Sequence, residues 1–421
     1  MGGLSRKPVS AGWLAFPLLM VAADVPAQRI ARIENIGQLA ARLDPQPNDR
    51  VVNCEAEPVS PVLSFGFRFE AGYVFRLPPN LYEGRGHSWV ALTQVTPEED
   101  GAEPVYLIAP GRFPPAARQT RARAEARGAF WLGEGRYGVK WVVVDDQGRV
   151  CRKQWHMEAS LGRAERKIKM TLPRNTVAEP SWRGFEDPVG TVDGQVPARL
   201  TVLLDAAPRR VRRNSQANLN PSDQLQLMGA LTELLEGIPS PVVRLVVFSL
   251  EQQKEVFLRE EFHLREMGQV ANALNGLMLG RVDSRVLQDR GGRVRLVSDL
   301  INREMRGTEH ADLVVLLGPE ERYDDKIPVE TFDRVEDGGP RFFYVQCRPA
   351  PRIAAIQAFD LGRSSSSNSP QALFVSDPGD GNNSDLLRTA MKRVQGETFT
   401  VYTPGQFAKA VDRIRQDVVT R

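Results

Sequence analysis

The sequence predicts two unlike domains in series, an antiparallel β-sandwich and then a doubly wound, mostly parallel α/β domain. Three observations predict this. Apolar residues alternate from Arg50 to Leu161, as in strands with one face buried. From Leu200 onward, unbroken apolar runs take turns with segments of helical period, the pattern of a parallel sheet covered on both faces. A stretch mixing charge, proline and glycine separates the two. These features put the sandwich at 48–162, a linker at 163–196 and the α/β domain at 197–421.

Ahead of both, residues 1–27 have the three parts of a bacterial-type secretory signal. Arg6 and Lys7 are the basic start, Gly12–Ala23 the apolar core, and Val25-Pro26-Ala27 puts small residues before a cleavage after Ala27. The core of roughly 12 residues is shorter than the ~20 that a bilayer-spanning helix needs, and an uncleaved anchor is the alternative. The expectation is an extracytoplasmic protein, periplasmic or secreted, with no membrane span after cleavage. Charged residues are 25% and hydrophobic ones 42% of the chain, ordinary for a soluble protein. The net charge of +3 is too small to point to a nucleic-acid partner.

In the sandwich, Phe65, Phe67 and Phe69 sit two apart and are expected on one face of a strand. Trp89–Val95 and Pro104–Pro110 are further strands. A hairpin follows at 137–157, turning at Asp145-Asp146-Gln147-Gly148, where glycine accepts positive φ. Pro115–Arg127 is expected as a short helix or a loop. Gly133, Gly135 and Gly138 match G-x-G-x-x-G, but a strand rather than a helix follows, so no nucleotide site is implied. Tyr137 in Gly135-Arg136-Tyr137-Gly138 resembles the tyrosine corner of immunoglobulin-like folds, which implies an immunoglobulin-like sandwich, with another β-sandwich as the alternative. Cys54 and Cys151 fall in this domain and form a candidate disulfide, since such bonds persist outside the cytoplasm. Cys347 lies in an expected buried strand as a small core residue. No C-x-x-C pair occurs and the four histidines are scattered, so zinc has no site to build on.

The linker contains a possible strand at Arg166–Leu172. In the α/β domain, Leu200–Asp205, Val242–Leu250, Ala311–Gly318, Arg341–Cys347, 372–377 and Thr398–Tyr402 are expected strands. Helical period runs through Asp223–Ile238, Arg265–Leu277, Gly291–Met305, Ser384–Val394 and Gly405–Val419. The serines at 364–367 read as a surface loop.

With LTVLLDAAPRR after the first apolar run and ETFTVYTPGQFAKAVDRI near the end, the region from about Val196 resembles the von Willebrand factor A family. That resemblance implies a divalent-cation site of D-x-S-x-S after the first strand, a threonine in a later loop and an aspartate after the fourth strand. Asp205 matches the first acid, but Ala207 and Arg209 hold the serine positions. Arg293 stands where the threonine is expected, and the fourth strand runs into Gly318-Pro319-Glu320-Glu321. Asp205 is therefore read as a vestigial metal-site position, paired with an arginine. Arg209, Arg210, Arg212 and Arg213 oppose a cation, because two unit charges about 4 Å apart interact by roughly 4 kcal/mol at an effective dielectric near 20. They read as a solvated basic loop or, with Arg293, as a candidate site for an anionic partner at the carboxyl ends of the strands.

Other chemistry finds less support. The acid-rich run Asp377–Asp385 lacks EF-hand spacing, and Ser384 or Asp385 reads as a helix cap. Tyr323–Lys326 reads as a solvated turn. No G-x-S-x-G elbow occurs, Ser249 has no glycine beside it, and His87, His156, His263 and His310 lie in no catalytic motif. The expected role is an exported protein-binding or adhesion-type protein with no cofactor, no catalytic residues and a partner that is acidic if the arginines are used. An extracytoplasmic hydrolase with catalytic groups assembled only in space, and a structural component of an envelope assembly, are the alternatives.

Overall fold

The computed structural model describes residues 28–77, 86–113, 124–182, 199–207, 219, 221–238, 240–277, 286, 288–289, 291–306, 311–323, 331–333, 339–348 and 384–419. The segment read as a signal, the arginines at 209–213, the serine run and the strand expected at 372–377 lie outside them.

The chain is strand-rich. Its N-terminal half contains β1 (Arg29–Ala31), α1 (Ile33–Ala40), β2 (Arg50–Val51), β3 (Glu55–Leu63), β4 (Phe69–Leu77), β5 (His87–Pro97), β6 (Val105–Phe113), β7 (Ala124–Leu132), β8 (Gly135–Asp145), β9 (Arg149–Ala159) and β10 (Val177–Ala178). One sheet has the order β1-β6-β5-β8-β9-β2 and the other β10-β7-β4-β3. All neighbours are antiparallel except β2 and β9. Alternation of period two sends Tyr73, Phe75, Trp89, Phe130 and Trp141 into a shared core, with Phe75 edge-on to Trp89 at 5.1 Å. The predicted hairpin is β8–β9, and Gly148 takes φ +72° in its turn. Cys54 and Cys151 are disulfide-bonded, tying the start of β3 to β9, and Cys347 is buried.

Four expectations need correction here. Phe65 and Phe67 do not share a strand with Phe69, because the chain reverses at Ser64–Arg68, with Phe67 at φ 45°. The three remain buried, the first two against another domain. The end of Pro115–Arg127 is neither helix nor loop, since Ala124 begins β7; pairing with β4 along its whole length overrides the local helix preference of alanine and arginine. The expected strand at Arg166–Leu172 does not form. Within the stretch assigned as linker, Val177 and Ala178 instead pair with Leu132 and Trp131 as an edge strand of the sandwich. Sequence reading also missed α1, which is too short to show a clear period and is held by burying Ile36 against Leu92, Val142 and Val150.

The C-terminal half contains β11 (Arg199–Asp205), α2 (Pro221–Gly237), β12 (Val242–Ser249), β13 (Lys254–Arg259), α3 (Met267–Asn275), α4 (Gly292–Arg306), β14 (Leu313–Gly318), β15 (Arg322–Tyr323), β16 (Arg341–Cys347), β17 (Ser384–Asp385), α5 (Leu386–Arg393), β18 (Glu397–Val401) and α6 (Pro404–Val419). Its main sheet has the order β13-β12-β11-β14-β16-β18, parallel except for the β12–β13 hairpin. Helices α4 and α5 cover one face, and α2, α3 and α6 the other. Burial on both faces is why these strands read as unbroken apolar runs. The sheet reverses its strand order between β11 and β14, the point at whose carboxyl ends open α/β sheets form their crevice.

The two halves are welded together. Phe65 stacks on Phe407 of α6 with centroids 5.2 Å apart, and Phe67 meets the same ring edge-on at 6.0 Å. Between them Gly66 lies against Gly229 of α2, where a Cβ would sit 3.0 Å from the Gly66 nitrogen. One apolar cluster runs unbroken from the sandwich through the α2–α6 layer to the parallel sheet.

Candidate functional site

Carboxyl ends of β11, β12 and β14 bring a set of acids to the crevice where the strand order reverses. Asp205 ends β11, Glu251 follows β12 and Glu321 follows β14. Asp385 joins them from the N-cap of α5, where its side chain accepts from the amides of Leu387 and Arg388 at 3.0 and 3.2 Å. Gln346 on β16 donates to the other Asp385 oxygen and accepts from Thr400 at 3.0 Å. Gly318 must be glycine at this point, since a Cβ there would lie 2.7 Å from the Cβ of Asp205.

Asp205 is fully buried, and among the described residues no amide, hydroxyl or guanidinium donates to either of its oxygens. The charged group that acts on it most strongly is the Glu321 carboxyl. Burial raises Asp205 well above the usual carboxylate range, and the charge of Glu321 raises it further. Burial also raises Glu321, against the pull of Arg293. Arg293, in the first turn of α4, is ion-paired with Glu251 at 3.2 Å. The phenol of Tyr344 on β16, itself raised by burial, donates to the Pro319 carbonyl at 2.5 Å. Glu320 pairs with Arg348 on the outer side.

Among the described residues no arginine pairs with Asp205, against the expectation from the sequence. Arg293 does reach the strand ends; Arg209, Arg210, Arg212 and Arg213 lie outside the described residues. The residues present do not fit a divalent cation. Ala207 is buried and brings no side-chain oxygen, a guanidinium stands beside the acids, and among the described residues no three acid, histidine or cysteine side chains come together as metal ligands. Glu321, Glu251 and Asp385 were not singled out as members of this site. The signal for two of them was local: each acid stands within three residues of the end of a buried apolar run.

The histidines take other partners. His87 meets Asp146 at 2.8 Å and His156 meets Glu98 at 2.5 Å, both in the sandwich. The amide of His263 donates to Glu266 at 3.1 Å ahead of α3, and His310 lies outside the described residues. Tyr137 is buried and its hydroxyl donates to the carbonyl of Gly133 at 2.9 Å, four residues upstream. Burial pushes this phenol up to about 12. Asp385 caps α5, one of the two residues expected to do so. Tyr323 is not in a free turn but in β15, paired with β17 beside the crevice.

No protein-family model and no curated protein sequence matches the chain. Among solved structures, it is similar to the putative ApaA protein from Bordetella pertussis, at 10% identity and TM-score 0.18, over 26% of this chain and 94% of that one. It is also similar to a lipoprotein from Bacteroides thetaiotaomicron, at 7% identity and TM-score 0.13, over 31% of this chain and 95% of that one. Likeness at these scores carries no argument about fold or activity.

Proposed function

We propose that this chain is an exported binding protein, in which an immunoglobulin-like sandwich and a von Willebrand factor A-like domain form one rigid platform for a protein partner. The observation that carries this reading is that the acid ending β11 is fully buried, with Arg293 ion-paired to Glu251 at the same strand ends, where the resembled family would hold a cation. Recognition then falls to surface side chains, and the candidates are the arginines at 209–213 with an anionic partner.

Several features support the parts of this reading. The order β13-β12-β11-β14-β16-β18, with Asp205 ending the first strand, favours the von Willebrand factor A resemblance. In the sandwich, β3, β4 and β7 face β6, β5, β8 and β9, and Tyr137 bonds back along its own chain, in keeping with an immunoglobulin-like plan. The disulfide sits between β3 and β9, which departs from that plan. A buried disulfide also favours an oxidising compartment, in line with the leader at 1–27.

Binding of acidic peptides to the chain without residues 1–27, and to an Arg209→Ala/Arg210→Ala variant, tests the reading. Weaker binding by the variant is expected, and equal affinity removes the arginines from the proposal. A pull-down from the extracytoplasmic fraction then identifies the partner.

A further inference from the structure

The joint between the domains contains a proton-counting problem. Thr171 Oγ1 lies 2.7 Å from the Gly66 carbonyl oxygen and 2.7 Å from Oε1 of Glu233 on α2. A hydroxyl has one proton, and a carbonyl can only accept. Thr171 donates to one of the two oxygens, and the second contact is a hydrogen bond only if the carboxyl of Glu233 supplies the other proton. Gly66 belongs to the sandwich and Glu233 to the α/β domain, so this chain of two bonds crosses the weld beside the Phe65–Phe407 stack.

We propose that the weld is closed by a proton on Glu233 and loosens when that proton leaves. Glu233 is only 8% exposed, and the backbones of Gly66 and Gly229 are in contact beside it. Two charged groups act on it directly, Glu236 from the same helix and Arg68 from the sandwich. The guanidinium of Arg68 is held 3.5 Å over the ring of Trp131 and 5.0 Å from that of Trp182. Glu70 acts on Arg68, and Lys169 on Glu236. The other elements on α2 meet it elsewhere: α6 puts Val411 against Gly237, and α3 presents the Ala271 carbonyl to Gln224.

Burial holds the Glu233 carboxyl up to about 7, with Thr171 and Arg68 pulling against it. Its affinity for the proton is thus higher in the closed joint than in the open chain. The stabilisation is complete below the ordinary glutamate value, 4.5, and is lost as pH rises through about 7. At tenfold per unit, the closing equilibrium falls by up to ~300-fold across that window.

Amide hydrogen exchange of the full chain from pH 5 to pH 8, corrected for the intrinsic rate, reads the joint directly. In the wild type, protection of segments 64–70 and 221–237 is expected to fall as pH rises. Glu233→Gln keeps a donor to Thr171 at every pH, so its protection is expected to stay level; parallel profiles for the two proteins overturn the proposal. Thr171→Val removes the hydroxyl but keeps the volume. It is expected to show at pH 5 the low protection that the wild type shows at pH 8, and full protection at pH 5 overturns the proposal as well.

Discussion

Replacing Phe407 by alanine should weaken a domain more than two hundred residues away in sequence. Phe407 is fully buried, stacked on Phe65 and edge-on to Phe67, so its ring belongs to the weld and not only to α6. Deleting a buried phenylalanine ring costs about 3–5 kcal/mol, and an aromatic pair is coupled by about 0.5–1.5 kcal/mol beyond the area it buries. Trp89, Trp131, Trp141 and Trp155 lie in sandwich strands and Trp182 packs on Trp131, so their fluorescence follows the sandwich while circular dichroism follows both domains. In urea, the wild type is expected to give coincident transitions by the two probes. Phe407→Ala should shift both to lower denaturant, and a cycle with Phe65→Ala should return the coupling. A fluorescence transition left in place while the dichroism transition moves would refute a shared core, and with it the rigid platform.

Two further outcomes follow from the site and the disulfide. Asp205→Asn should be more stable than the wild type at pH 8, with the gap closing towards pH 5. The raised carboxyl of Asp205 contributes stability at low pH that is lost as pH rises, whereas an amide stays neutral throughout. Urea unfolding at the two pH values checks this, and an equal loss at both would mean that Asp205 is ionised in the fold. Cys54→Ser should lower stability by up to about 4–5 kcal/mol, the chain-entropy value for a loop near a hundred residues; the two cysteines are 97 apart. Thermal unfolding of the variant and of the reduced wild type should agree, and an unchanged midpoint in both would show that the bridge adds nothing.

The sequence by itself determined what depends on near neighbours along the chain. Alternation marked β5, β6, β8 and β9, unbroken apolar runs marked β11, β12, β14 and β16, and helical spacing marked α2 to α6, because burial of one face or both imposes those periods. Tertiary structure alone decided what depends on distant partners. Phe65 and Phe67 have the spacing of a strand, yet a turn takes them to a ring on α6. Ala124–Arg127 is strand because β4 lies beside it, and Val177–Ala178 is strand because β7 does. Asp205 was legible as an acid at a strand end, but its surroundings were not. Its carboxyl is raised first by burial and then by the charge of Glu321, and both come from the packing of two strands joined by more than a hundred residues of chain.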